Sequence, residues 1–276
     1  MYGAILGDMI GAPYEFDQGG KTKKFVMFND EIRFTDDSAM TLAIAKAILR
    51  AGLDAGEQTM KEEIVSCMRD FGHRYAQGEY GGRFAMWLRT ADPTPYGSFG
   101  NGSAMRVSAA GWLYDSMERT REVARWTAEV THNHPEGVKG AESVAAAIFL
   151  ARTGADKDAI KAYITEQFGY DLSRTCDEIR PTYYHVESCQ ETVPEAITAF
   201  LEGEDFEDVI RTAVSLGGDS DTLTCIAGAI AEAFYEIPAA FMTECTGRLP
   251  KEFLDILEDF DKVRKSRGAA PVILQT

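Results

Sequence analysis

Two long segments, residues 138–152 and 222–235, constrain the fold most, because both are rich in alanine and apolar on nearly every side. A helix that is apolar all round has no face for solvent, so it has to be buried inside the protein. A chain of 276 residues, 45% of them hydrophobic, is long enough to bury such helices in a sizeable core. We therefore predict that both helices are buried in one domain spanning residues 1–276.

Helical periodicity continues through most of the chain. Residues 38–50 carry Met40, Ile44 and Ile48 on one face, and residues 58–75 repeat apolar side chains at the same spacing. Further helix candidates are residues 104–114, 121–130, 157–168, 193–202, 205–216 and 251–264. Alternating β-branched runs with hairpin turns are not found, so we predict an all-α fold. The least periodic segment, residues 169–192, is predicted to be a long surface loop or a short irregular insertion.

The net charge and the cysteine pattern argue against several classes of partner and site. A formal net charge of −16 repels nucleic-acid backbones and anionic membranes, so neither partner is expected. The basic runs Lys21–Lys24 and Lys262–Arg267 are interpreted as solvated surface. Neither a signal peptide nor an apolar stretch of ~18 residues is recognisable, which predicts a cytoplasmic protein. Five scattered cysteines without CxxC spacing fit a reducing compartment and argue against a zinc site.

Two acid pairs open two of the apolar helices, although almost two hundred residues separate them. Each pair lies beside a threonine, and the two sets are Thr35, Asp36, Asp37 and Asp219, Asp221, Thr222. One aspartate at a helix start is an ordinary N-cap, but a cap leaves the second acid of each pair unexplained. If the helix starts meet, four like charges beside a core require cations. Oxygen donors of this kind favour Mg²⁺, Mn²⁺ or Ca²⁺ over zinc.

Other stretches are ambiguous when taken alone. FGNGSAMRV (Phe99–Val107) is either a glycine turn with an N-cap or a loop whose N–H groups hold a phosphate. VTHNHPEG (Val130–Gly137) is either a helix end with a satisfied histidine or a polar loop facing an anionic or ribose ligand. GEYGG (Gly78–Gly82) indicates only a flexible turn. In GAILGDMIGAPYEF (Gly3–Phe16) the small residues suit close helix packing, and Glu15 is expected on a loop.

Together these stretches resemble the ADP-ribosylglycohydrolase family. The resemblance runs from Gly3 to Pro238 through GAILGDMIGAPYEF, FTDDSAMTLAIA, GEYGG, GNGSAMR, THNHPEGVKGAESVAAA and LGGDSDTLTCIAGAIAEAFY. TDD and GGDSDT at this separation are its specific part. The resemblance implies a single compact many-helix orthogonal bundle, all α, with a binuclear centre of two Mg²⁺, or Mn²⁺ in some members.

The resemblance also implies roles for particular residues. The implied metal ligands are Thr35, Asp36, Asp37, Asp219, Asp221 and Thr222. The implied catalytic carboxylates are Glu15, Asp36 and Asp37. The residues implied to line the ADP-ribose pocket are Gly81, Asn101, Gly102, Ser103, Met105 and His132.

The expected activity is metal-dependent hydrolysis of the glycosidic bond at C1″ of ADP-ribose, by way of an oxocarbenium-like state. The substrate would be an ADP-ribosylated protein side chain or a small-molecule conjugate, and an acidic surface favours a cationic arginine acceptor. Which carboxylate moves the proton stays open. The alternatives are a non-hydrolytic ADP-ribose-binding or immunity-type protein, a metal-dependent phosphohydrolase and a structural, crystallin-like protein. A monomer is expected.

Overall fold

The computed structural model describes residues 1–75 and 79–266. Over these residues the chain is helical and contains no strand, only an isolated bridge between Gly100 and Ser188. The predicted all-α class is therefore confirmed. Gly78 of the GEYGG stretch and Arg267 of the second basic run lie outside the described residues.

The helices are numbered in chain order, and a 3-10 segment, Ala12–Asp17, follows the first of them. Their bounds are α1 (Tyr2–Gly11), α2 (Asp36–Ala51), α3 (Glu57–Arg74), α4 (Gly82–Arg89), α5 (Gly102–Met105), α6 (Ser108–Leu113), α7 (Met117–Glu129), α8 (Pro135–Arg152), α9 (Lys157–Phe168), α10 (Cys176–Ile179), α11 (Cys189–Glu202), α12 (Phe206–Leu216), α13 (Ser220–Phe234), α14 (Ala239–Arg248) and α15 (Lys251–Ser266).

Helix α13 lies at the centre and packs against α1, α2, α5, α8, α11 and α12. Its closest neighbour is α1, because small residues line the contact on both helices. A Cβ atom added at Gly7 would lie 2.1 Å from the carbonyl oxygen of Thr224, and one added at Gly3 would lie 2.2 Å from that of Gly228. Backbones that approach this closely place the end of α1 beside the beginning of α13, where the second acid pair is found.

The two Ala-rich segments are helices, α8 and α13, and their alanines are buried as predicted, except for Ala233, which is partly buried. The single helix predicted over residues 104–114 is in fact two helices, α5 and α6, separated at Arg106 and Val107. Sequence periodicity did not indicate α1, α4, α10 or α14. Helix α1 is buried on almost every side and rich in glycine, so it shows no polar face that would mark it as a helix.

The prediction of a long surface loop or a short irregular insertion over residues 169–192 is correct only in part, because most of its residues are non-helical and many are exposed, but some are packed. The segment contains α10 and the start of α11 at Cys189, and it buries Tyr170, Ile179 and Tyr183. These apolar residues are irregularly spaced, so they give no helical period although they pack into the core. Among the described helices, none has both the length and the apolarity needed to cross a membrane.

Candidate active site

The two acid pairs meet at the end of α1 and at the starts of α2 and α13. The Thr222 hydroxyl donates a hydrogen bond to Asp37 Oδ2 at 3.2 Å, which joins the start of α13 to the start of α2. Carboxylate oxygens of Asp8, Asp37 and Asp221 lie within 4.8 Å of one another. Oxygens of Glu15, Asp219 and Asp221 form a second such group. Asp221 therefore belongs to both clusters of acids.

Burial and mutual repulsion make these carboxylates hard to ionise. Burial is the largest cause that raises the pKa values of Asp36, Asp37 and Asp219 well above the usual range, and the charge of Asp221 is the next. The pKa of Asp8 is raised to about 7 by the same two causes, in the same order. A protein that keeps so many acids in its interior needs protons or cations to offset their charge.

Asp8 is a residue of this site that the sequence analysis missed. It is fully buried on α1, and its carboxylate accepts hydrogen bonds from the Thr35 amide at 2.9 Å, the Thr35 hydroxyl at 2.6 Å and the Ser38 amide at 3.0 Å, as well as from the Ser38 hydroxyl. These bonds satisfy N–H groups at the start of α2 that have no intrahelical partner. An acid inside the otherwise apolar first helix was the sequence signal that could have revealed it.

Replacing Asp8 by alanine is expected to lower the free energy of unfolding by on the order of 3 kcal/mol, because two buried amides at the start of α2 lose their acceptor. Urea unfolding at one pH and one Mg²⁺ concentration measures the loss. The control is Asp255→Ala, on a surface carboxylate whose side chain is 55% exposed. If D8A kept its stability and lost only metal affinity, Asp8 would be a ligand and not the support of the α2 start.

Five carboxylates of the site line a cavity of about 520 Å³, namely Glu15, Asp36, Asp37, Asp219 and Asp221, whereas Asp8 lies behind them and is not among the lining residues. That volume is within the range of small-molecule sites, roughly 300–1,000 Å³. The cavity brings together nearly all the residues that the sequence singled out: Glu15, Thr35, Asp36, Asp37, Gly81, Asn101, Gly102, Met105, His132, Asp219, Asp221 and Thr222.

Ser103 is the exception and does not line the cavity. Its side chain is fully buried, and its hydroxyl donates to the carbonyl oxygen of Gly137 at 2.7 Å, behind the cavity wall. Asn101, two residues earlier, faces the acids and donates its amide to Asp219 Oδ2 at 2.7 Å. Asn101 therefore orients one of the carboxylates. The hydroxyl of Ser103 connects the GNGS segment, residues 100–103, which we call the glycine loop, to α8.

Two hydrogen bonds hold Glu15 in place by joining the 3-10 segment to the turn formed by Gly217, Gly218 and Asp219. The Phe16 amide donates to the Gly218 carbonyl at 2.9 Å, and the Gly218 amide donates to Asp17 Oδ1 at 2.8 Å. Gly217 and Gly218 both have φ of 74°, a conformation that glycine adopts without strain. These hydrogen bonds bring Glu15 to the second acid cluster. Burial there, and then the charge of Asp221, raises the pKa of Glu15 to about 7.

The sequence profile of the ADP-ribosylglycohydrolase family matches residues 1–270 of this chain. The chain belongs to the ADP-ribosylglycohydrolase family. Two relatives agree with this membership. ADP-ribosylhydrolase ARH3 of Mus musculus is 26% identical over an alignment of 329 positions, gaps included, which covers 89% of this chain and 86% of the relative. ADP-ribosylarginine hydrolase Tri1 of Pseudomonas putida is 25% identical over an alignment of 275 positions, gaps included, which covers 86% of this chain and 70% of the relative.

A solved structure described as an ADP-ribosylglycohydrolase-related protein complex has the same fold. It superposes with a TM-score of 0.63 at 24% identity, over 95% of this chain and 92% of that chain. At this level of identity the likeness concerns the fold. The predicted compact helical bundle of the ADP-ribosylglycohydrolase type is thus confirmed.

The donor set of this family member fits hard divalent cations. Asp37 Oδ1 is buried and has no hydrogen-bond partner among the described residues, which is a costly arrangement unless another group binds the oxygen. The remaining donors are carboxylate and hydroxyl oxygens, the ligands that Mg²⁺ and Mn²⁺ prefer. All five cysteines are buried free thiols, and none belongs to either cluster.

Proposed function

We propose that this protein is a metal-dependent hydrolase that cleaves the glycosidic bond at C1″ of ADP-ribose and so removes ADP-ribose from a modified protein side chain or a small-molecule conjugate. The observation that carries the proposal is the pair of carboxylate clusters that share Asp221 beside a ligand-sized cavity. Membership of the ADP-ribosylglycohydrolase family supports the same chemistry.

We propose Thr35, Asp36, Asp37, Asp219, Asp221 and Thr222 as the ligands of two Mg²⁺, or Mn²⁺. Bound there, the cations would offset the carboxylate charge and supply Lewis acidity for the ribose hydroxyls and the attacking water. The Thr35 hydroxyl donates its hydrogen to Asp8 and accepts from the Asp37 amide at 3.2 Å, so it keeps one lone pair free for a cation. Asn101 fixes Asp219 by donating its amide to one carboxylate oxygen.

Glu15 has the properties of a group that exchanges protons with the substrate. A pKa of about 7 leaves the carboxyl able to donate or to accept a proton near neutral pH, as general acid–base catalysis requires. It lies next to Asp219 and Asp221, so it is close to the place where the ribose would meet the acids. We propose Glu15 as the principal proton carrier, with Asp36 and Asp37 as the other candidate catalytic carboxylates.

The lining of the cavity suits a cationic acceptor through Glu187. Glu79 and Glu187 both line the cavity; Glu79 is paired with Arg33 at 3.2 Å, whereas the Glu187 side chain is 72% exposed. Phe16 is 60% exposed, lines the same cavity and stacks on His185 with ring centroids 4.3 Å apart. A guanidinium pairs with carboxylates and stacks on aromatic rings, whereas a serine acceptor brings no charge. We therefore favour ADP-ribosylated arginine as the substrate.

Release of free ADP-ribose from two test proteins, one ADP-ribosylated on arginine and one on serine, checks the proposal. We expect release from the arginine-linked protein in Mg²⁺ and at least a hundredfold less after EDTA treatment, because the acids then lack the cations that offset their charge. Release from the serine-linked protein alone would keep the hydrolase and overturn the acceptor. Tight ADP-ribose binding without release from either protein would favour the non-hydrolytic binding protein.

A further inference from the structure

A buried cation without a carboxylate partner lies behind the cavity wall, on the side formed by the glycine loop. Arg106 follows α5, is 1% exposed and forms no ion pair with any described carboxylate. One of its terminal nitrogens, Nη2, donates to the Thr127 carbonyl at 3.0 Å and to the Thr131 hydroxyl at 2.8 Å. Nε is buried and has no hydrogen-bond partner among the described residues.

The bond from Arg106 decides what the Thr131 hydroxyl can do. A guanidinium only donates, so the threonine oxygen has to accept from it and keeps its own hydrogen for another acceptor. The nearest acceptor is His132 Nδ1 at 2.7 Å, whereas the Ala128 carbonyl lies at 3.5 Å. The threonine oxygen has a second lone pair and could accept from a protonated Nδ1, but its own hydrogen would then have only the 3.5 Å contact with the Ala128 carbonyl, which already accepts from two backbone amides. The hydroxyl hydrogen is therefore assigned to His132 Nδ1, which accepts it.

His132 stays neutral in this environment. Its ring is almost completely buried, and burial, followed by the charges of Arg106 and Arg83, lowers its pKa well below the usual range. Tyr96 is the aromatic neighbour, with ring centroids 6.1 Å apart. A neutral imidazole carries one N–H group, so a ring whose Nδ1 accepts a hydrogen bond has to donate through Nε2.

The donating nitrogen faces the cavity along the glycine loop. His132 lines the cavity, and its Nε2 lies 3.4 Å from the position of a Cβ atom added at Gly102 and 3.5 Å from one added at Gly100. Both distances are ordinary van der Waals contacts, so this nitrogen lies directly against the two glycines that line the cavity.

We propose that Arg106 and Thr131 are positioning residues that hold His132 as a neutral Nε2–H donor for an oxygen atom of the bound ligand. Part of this inference, the identity of the ligand as ADP-ribose, rests on the proposed function. This chain of hydrogen bonds starts at the Arg106 guanidinium, which donates to the Thr131 hydroxyl, and ends at His132 Nδ1, which accepts from that hydroxyl. It fixes the proton on His132 before any ligand arrives, so the donor is oriented in advance.

The test reads the proton directly, in ligand-free protein. Long-range proton–nitrogen correlation spectra of ¹⁵N-labelled protein distinguish the two tautomers of each of the four histidines. The spectrum of His132→Gln assigns the signal by its loss. We expect His132 to be neutral and protonated on Nε2 at neutral pH. A ring protonated on Nδ1, or on both nitrogens, would overturn the proposal whether or not the protein hydrolyses ADP-ribose.

Two substitutions then separate positioning from folding. Thr131→Val removes the hydroxyl, and we expect a mixed tautomer together with about tenfold weaker ADP-ribose binding, while Thr131→Ser keeps both properties. Thr120→Val is the matched control, because Thr120 is also fully buried and its hydroxyl has no partner among the described residues. An unchanged tautomer in T131V would contradict the role of Thr131. An Nε2–H tautomer without any ADP-ribose binding would uphold the positioning chain and remove the proposed ligand.

Discussion

Replacing Asp221 by asparagine is expected to abolish ADP-ribose release, with a loss on the order of a thousandfold or more. Asp221 supplies oxygens to both carboxylate clusters, so one substitution removes the proposed cation ligand that the two clusters share. Asn keeps the size of the side chain and one oxygen, so the start of α13 should keep its structure. The measurement is initial-rate ADP-ribose release across a range of Mg²⁺ concentrations, with circular dichroism to verify the fold.

Two further variants, one inside the site and one on the surface, serve as comparisons for Asp221→Asn. Asp219→Ala also removes a proposed ligand and is expected to abolish turnover, although Asp219 belongs to one cluster only. Asp255→Asn removes a charge on α15 that is paired with Lys251 at the surface, and it should keep full activity. Full activity in a verified D219A or D221N protein would refute the metal site.

The thermal stability of the metal-free protein is expected to fall as the pH rises from about 5 to about 8. The carboxyl pKa values of Asp8 and Glu15 are raised to about 7 in the folded state, by burial first and then by the charge of Asp221, whereas unfolded carboxyl groups titrate near about 4. A raised carboxyl pKa means that the folded state holds protons that the unfolded state has released. The corresponding stability is fully present below the unfolded pKa and is lost as the pH passes through the folded pKa.

The size of the effect follows from the same shifts. Each pKa unit of a buried carboxyl corresponds to about 1.4 kcal/mol, and several acids titrate together, so we expect the melting temperature after EDTA treatment to fall by on the order of 10 °C between pH 5 and pH 8. Saturating Mg²⁺ should restore most of the loss at pH 8 and little at pH 5, because protons and cations compete for the same oxygens.

The Asp221→Asn substitution is expected to raise the melting temperature of the metal-free protein at pH 8, which is opposite to the effect of raising the pH. Without the charge of Asp221, its neighbours Asp37 and Asp219 ionise at less cost. The metal-free variant should therefore melt at a higher temperature than the metal-free wild type at pH 8, and it should no longer respond to Mg²⁺. Differential scanning fluorimetry across pH, with and without Mg²⁺, measures both effects. If the metal-free wild type became more stable as the pH rises, the buried carboxylates would not control its stability, and the prediction would be wrong.

Local pattern was sufficient for a large part of the fold. The apolar period gave α2, α3 and the central helices α8 and α13, because burial of a helix face leaves a regular trace in the sequence. The same approach failed for α1 and for the packed part of residues 169–188. A glycine-rich buried helix and an irregular packed segment have no period, and their structure depends on the residues that they contact.

The chemical groups of the site could be recognised from the amino-acid sequence: two acid pairs beside threonines, a glycine loop and a histidine stretch. How these groups are used depends on the packing of the helices. Glycine-lined contact between α1 and α13 brings Asp8 to the start of α2 and makes Asp221 common to two clusters. Packing directs Ser103 away from the cavity and aims Arg106 at Thr131. These outcomes depend on distances between residues far apart in the chain, and such distances are set by how closely the helices pack.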